Sequence, residues 1–370
     1  MSHAIRVTRV ACIFFMMFTH VRPYPEFEHF PRLAYNIVLH LFYAVPSLLI
    51  GKASVPLLGA ISGWLFVQSY RGGWADNAKK KLRSVLLPLL LWNGLVLLLL
   101  WAIPSLETRW IRPDDIAGWI DKFVPLVDYP TNSPLYFLRD LFLCTLAAPL
   151  LLAAFDRWGA QAMAAAMVGA ILFASVFVDG FLLTRPVILP TFLAGLILAR
   201  TRAPVLERRF FDTRLLWVAT AWTMVALCVT VPLLGTRFAW LPELGALPEV
   251  VTRFALAFLM WRAIVQLANM PAGRVAARLE PYIFFVFCTH HIVQLFSWYL
   301  FGGMISNGAY SPVYPLYFFA EPVMAMLVGI AGYRLLARVA PKALGVLTGG
   351  RIAPETTGRR WVFAGAADGR

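Results

Sequence analysis

The sequence predicts an all-α integral membrane protein of about ten transmembrane helices, with its N- and C-termini cytoplasmic. Three observations carry this. Of 370 residues, 60% are hydrophobic and only 14% charged, with a mean hydropathy of +0.70, whereas soluble domains run nearer a quarter charged. The apolar residues gather in runs of roughly 17–25, the length a helix needs to cross a bilayer. The basic residues sit in short clusters between those runs, which is how orientation is encoded in a membrane protein. That placement also argues against reading the net charge of +14 as a nucleic-acid footprint.

The first run, "RVTRVACIFFMMFTHV", has the basic start and apolar core of a signal peptide, but no small-residue cleavage site follows and the chain continues "RPYPEFEHFPR". It is therefore taken as a span near 5–21. Further spans fall near 53–70, 84–103, 135–155, 161–178, 186–200, 214–234, 249–268, 282–301 and 314–338. Segment 33–51 is apolar but carries Asn36, His40 and Pro46, and is left as a re-entrant or interfacial piece. With ten spans and the N-terminus inside, two thirds of the 33 lysines and arginines fall in cytoplasmic segments. An eleventh span at 33–51 would put "KKKLR" outside, so ten is the better count. Loop 104–134 is an outer excursion rich in Trp, Pro and Asp. The division is thus a membrane domain over 1–338 and a basic, disordered cytoplasmic tail over 339–370, where "TGGRIAPETTGRR" stands.

Ionisable groups at membrane depth are costly and are functional candidates. In a helix, Arg9 and His20 are eleven steps of about 100° apart, so they share a face about 16 Å apart along the axis. An imidazole titrates near neutrality and suits a general base; a guanidinium below it suits phosphate. Lys80 and Arg83 share a face at the foot of the third span and read either as topology signal or as an anion site. Ser62-Gly63, after Pro56, reads as close helix packing or as a broken helix around a substrate. Arg139 and Asp140 are neighbours inside a span, each needing a polar partner. His290 and His291 sit in the ninth span, one facing the site and the other a packing partner. Cys12, Cys144, Cys228 and Cys288 are widely separated in apolar segments, without metal-ligand or redox spacing, so no metal site is expected.

In order and spacing these pieces resemble the acyltransferase-3 family of integral membrane acyltransferases, over nearly the whole chain to about residue 338. The resemblance rests on Arg9, ten residues and His20 in the first span, "SVPLLGAISGWLF" in the second, and the basic pair of the third. It rests further on "PLYFLRDLFLC", "FLAGLILAR" and "FFVFCTHH". Lys80 stands where the family more often has arginine, which keeps the charge but loses the planar fork. Within the family, "HVRPYPE", "AISGW" and "PLYFLRDLFLC" look most like exopolysaccharide-decorating enzymes, particularly O-succinyltransferases of the succinoglycan type.

The resemblance implies transfer of a succinyl or acetyl group from cytosolic acyl-CoA to a sugar hydroxyl of a glycan or lipid-linked oligosaccharide. The reaction would take place at the outer face of a bacterial inner membrane. Acyl-CoA is a donor substrate, and no permanent cofactor is implied. On this reading Arg9, Lys80 and Arg83 hold the donor's phosphates and His20 deprotonates the acceptor. Arg139, His290 and Ser62 serve the oxyanion or bind the acyl and acceptor groups. For a succinyl donor, Arg22, Arg32 and Arg139 are candidate carboxylate partners. The alternative is a secondary transporter of anionic sugars or organic acids, which gives no reason for Arg9 and His20 to share a face. A third reading is a structural subunit of an export machine.

Overall fold

The structure, a computed structural model, describes residues 3–22, 42–103, 115–125, 130–176, 187–201, 247–305 and 311–352, with 106, 217, 220 and 221 singly. The described residues are helical and contain no strand. We label the helices α1 His3–Met17, α2 Phe42–Ser69, α3 Trp74–Ala102, α4 Ile116–Phe123 and α5 Tyr136–Val176. They continue with α6 Ile188–Thr201, α7 Leu247–Ala268, α8 Pro271–Phe301, α9 Tyr314–Val339 and α10 Pro341–Leu347. Among the described residues, five stretches are long and apolar enough to cross a membrane: α2, α3, Ser133–Ala170, Pro271–Ile305 and α9. This is the pattern of a multi-pass membrane protein.

Several expected boundaries move. The second span begins at Phe42, so residues 42–51 of the doubtful 33–51 segment belong to α2 rather than to a separate piece. The runs at 135–155 and 161–178 are two helices joined at Gly159, whose φ of 81° breaks α5. The span expected at 186–200 is the 14-residue α6. The span expected at 214–234 lies outside the described residues, apart from 217, 220 and 221.

α1 is buried on more than one side, with Val7, Val10, Cys12, Ile13 and Met16 all in the core. From Val10 to Met17 the helix is apolar all round, as an interior segment is, and α1 packs against α2, α7 and α8. Cys12, Cys144 and Cys288 are buried free thiols, as expected of packing residues.

Small residues let α2 and α6 meet backbone to backbone. A Cβ on Gly63 would strike the Phe192 carbonyl, and one on Gly195 would strike the Ala60 carbonyl. The "AISGW" stretch therefore serves close helix packing. The Ser62 hydroxyl donates to the Leu58 carbonyl one turn back, at 2.7 Å.

Prolines inside the helices explain several long-range contacts. Pro149 has no N–H to offer the Thr145 carbonyl four residues earlier, and Asn77 Nδ2 takes that carbonyl at 2.8 Å. Replacing Asn77 with Ala should cost about 1 kcal/mol, read as a lower Tm of the detergent-solubilised protein. A second change, Pro149→Ala, restores an N–H and should recover the loss. Pro88 likewise strands the Ser84 carbonyl, and there a π turn over Leu82–Leu86 interrupts α3.

The beginning of the presumed disordered tail is in fact ordered. Pro341 starts α10, Leu344 is fully buried, and the Leu347 carbonyl accepts from Trp92 Nε1 at 3.0 Å. Gly349 (φ 59°) and Gly350 (φ 82°) close the helix, with Gly349 N–H on Val346 O and Gly350 N–H on Gly345 O. This is a Schellman cap, which needs left-handed residues that glycine adopts without strain. Residues 353–370 lie outside the described residues.

Candidate active site

His20 ends a 3₁₀ turn, Phe18–His20, that tightens the end of α1. Three residues at about 120° rather than about 100° swing it about 60° beyond its place on an uninterrupted α-helix. The strict shared face with Arg9 is therefore lost, yet both residues meet the same neighbour, α8. Arg9 Nη1 donates to Glu280 Oε1 in an ion pair. The His20 ring lies 5.6 Å from His290 and 5.7 Å from His291, centroid to centroid. Both ninth-span histidines thus reach His20, where only one was expected to face the site. Glu280 and His290 are ten residues apart on α8, or about 15 Å. α8 holds the two ends of the candidate site at a fixed separation.

His290 is fully buried, and its Nδ1 lies 2.6 Å from the Phe287 carbonyl. A carbonyl only accepts, so Nδ1 carries the proton and Nε2 presents its lone pair in the neutral ring. His290 Nε2 has no hydrogen-bond partner among the described residues. A neutral His290 in this tautomer accepts a hydrogen bond rather than donating one to an oxyanion.

One turn along, Gln294 Nε2 donates to the Met17 carbonyl at 3.0 Å and to Glu321 Oε2 at 2.6 Å. The Met17 carbonyl is where α1 changes to 3₁₀, so Gln294 ties that junction to α8 and α9. Glu321 is 1% exposed, and neither its Oε1 nor Gln294 Oε1 has a hydrogen-bond partner among the described residues. A buried carboxylate costs several kcal/mol unless it is paired. Beside the end of α1, α8 thus presents two buried acceptors, His290 Nε2 and Gln294 Oε1. Arg22, two residues beyond His20, stands within Coulombic reach of His291 and Tyr317.

At the Arg9 end the sequence-predicted cations divide. Lys80 and Arg83 are exposed, whereas Lys81 is half-buried, with Nζ 5.9 Å from the centre of the Phe66 ring. Arg139 and Asp140 are both buried and pair with each other, Nε to Oδ1 at 2.8 Å. Among the described residues, no group of three or more His, Cys, Asp or Glu is arranged to hold a metal ion.

Gln294, Glu321, Glu280, Lys81 and Arg22 complete these two groups. Glu321 carried a signal of its own, an acid inside the apolar run "FFAEPVMAM". Glu280 and Lys81 carried none, because charges at a span's foot read equally as topology.

The chain belongs to the acyltransferase-3 family, whose model, described as an acyltransferase domain, matches residues 2–334. It is therefore a multi-pass membrane protein of a family of acyltransferases. It is similar to the succinoglycan biosynthesis protein ExoH of Rhizobium meliloti (strain 1021), at 29% identity over 368 residues. The alignment covers 95% of this chain and 92% of that protein. No solved structure matches.

Proposed function

We propose that this protein moves a succinyl or acetyl group from cytosolic acyl-CoA to a sugar hydroxyl of an exopolysaccharide or its lipid-linked precursor. It does so from a ten-span arrangement in the bacterial inner membrane, with both termini cytoplasmic. The observation that carries the reading is the buried face of α8 beside His20, where the acceptors His290 Nε2 and Gln294 Oε1 have no hydrogen-bond donor among the described residues. Such a site matches a polyol, which brings hydroxyl donors.

His20, as general base, takes the proton of one hydroxyl while its oxygen attacks the thioester carbonyl. The tetrahedral adduct collapses to an ester and a CoA thiolate, which recovers the proton from His20. Arg22 supplies positive charge beside His291, suited to the adduct's oxyanion or to the free carboxylate of a succinyl group. Phosphates of the donor stay at the Arg9 end, and its flexible arm spans the ~15 Å between Glu280 and His290.

Mass spectrometry of extracellular and periplasmic glycans tests this. Cells lacking the protein should lose one ester mass, and that mass names the acyl group. Glycans acylated alike with and without the protein, together with substrate accumulation independent of CoA, would favour a transporter instead.

A further inference from the structure

The C-terminal turn delivers one more cation to the Arg9 end. Arg351 Nη1 donates to the Ser84 carbonyl at 2.8 Å, the carbonyl that Pro88 leaves unpaired, and to the Thr348 carbonyl at 2.9 Å. Its guanidinium stacks on the Phe284 ring, 4.1 Å from the centroid, one turn along α8 from Glu280. Gly349 is packed so closely on Ser84 that a Cβ would lie 2.5 Å from the carbonyl oxygen. The turn is therefore seated on α3 and α8 rather than trailing from α9.

Arg9, Glu280 and Lys81 all lie within Coulombic reach of Arg351. Arg9 and Arg351 thus share the carboxylate of Glu280, and Lys81 adds a further positive charge beside Arg351, an excess that calls for an anion. Burial and then Arg9 push the Arg351 guanidinium down to about 10, the direction expected where positive charge is crowded. Both of its hydrogen bonds leave from Nη1. The Nε–Nη2 edge, which makes bidentate contacts with phosphate, has no hydrogen bond among the described residues. This residue lies beyond the 2–334 region that matches the family, so the family resemblance gives no account of it.

We propose that the 341–351 turn is part of the donor site, with Arg351 joining Arg9 and Lys81 to bind phosphate groups of the acyl donor. The proposal rests on the acyl-CoA reading above. It makes Arg351 a binding residue rather than a clamp for the tail.

The test is isothermal titration of CoA into the full-length protein in nanodiscs of zwitterionic lipid. Arg351→Gln should weaken CoA binding roughly tenfold or more, the loss of one or two charge-assisted hydrogen bonds. Arg351→Lys keeps the charge and loses the fork and the stack, and should fall between the two. It also serves as the readout if the Gln variant cannot be purified. In turnover assays the effect should appear in KM for acyl-CoA, with kcat nearly unchanged. Wild type and both variants binding CoA equally would overturn the role of Arg351 and leave the donor reading intact. Wild type failing to bind CoA at all would sink the donor reading and this proposal with it. Anionic lipid displacing CoA from wild type but not from Arg351→Gln would reassign the site to a lipid headgroup.

Discussion

His20→Ala is expected to lower acyl transfer by about 10²–10⁴-fold, the usual contribution of a positioned general base. The ring sits at the end of a 3₁₀ turn, not in the interior of α1, and its loss leaves the Met16 and Met17 packing in place. Turnover should therefore collapse while Tm and detergent behaviour stay near wild type. His290→Gln provides the comparison. It removes the ring whose Nδ1 is held by Phe287 but keeps a hydrogen-bonding side chain, so a smaller loss is expected. CoA release and glycan ester content should fall together for His20→Ala. Full activity in that variant would remove the base from His20 and shift attention to His290, His291 and Glu321.

The largest structural effect is expected at the α2–α6 contact. Gly195→Ala places a methyl group against the Ala60 carbonyl, and Gly63→Ala places one against the Phe192 carbonyl. The atoms struck are helix backbone, which cannot step aside as a flexible side chain does. Overpacking ordinarily costs about 1–3 kcal/mol, and backbone against backbone belongs at or above the top of that range. Either variant should yield far less monodisperse protein and a clearly lower Tm. Gly169→Ala is the control. Nothing lies within 4 Å of its added Cβ, so it should be neutral or gain about 0.5–1 kcal/mol in helix stability. Equal behaviour of Gly195→Ala and Gly169→Ala would mean the helices do not meet so closely.

How well each part could be read from the sequence follows the range of the forces involved. Membrane helices are legible because burial in lipid acts on every residue of a long run, so composition alone marks them. Arg9, His20 and His290 are legible because a charge or imidazole in such a run stands out against its cost. Ser62 shows where that reasoning stops. It is a polar residue in an apolar span, but its hydroxyl is spent on its own helix. A local partner satisfies the same energetic demand as a distant site, and spacing does not distinguish the two. The order of residues 341–351 had local signs, Pro at the start of a helix and Gly-Gly after it. They were obscured by the basic, glycine-rich composition around them.

By itself the sequence determined an apolar, helical, multi-pass membrane protein of a known acyltransferase family, with a cation low on its first helix and an imidazole at its end. These are properties of single segments, set by hydropathy and by the cost of burying charge. Only the tertiary structure decided which groups share a site. His20 meets His290 and His291, Gln294 bridges α1 to Glu321, and Arg351 reaches Ser84, Phe284 and the Arg9–Glu280 pair. The physical reason is that a proline-freed carbonyl or a buried carboxylate fixes only the chemistry of the partner it needs. Which residue fills that need depends on how the helices pack, and packing is a property of the whole chain.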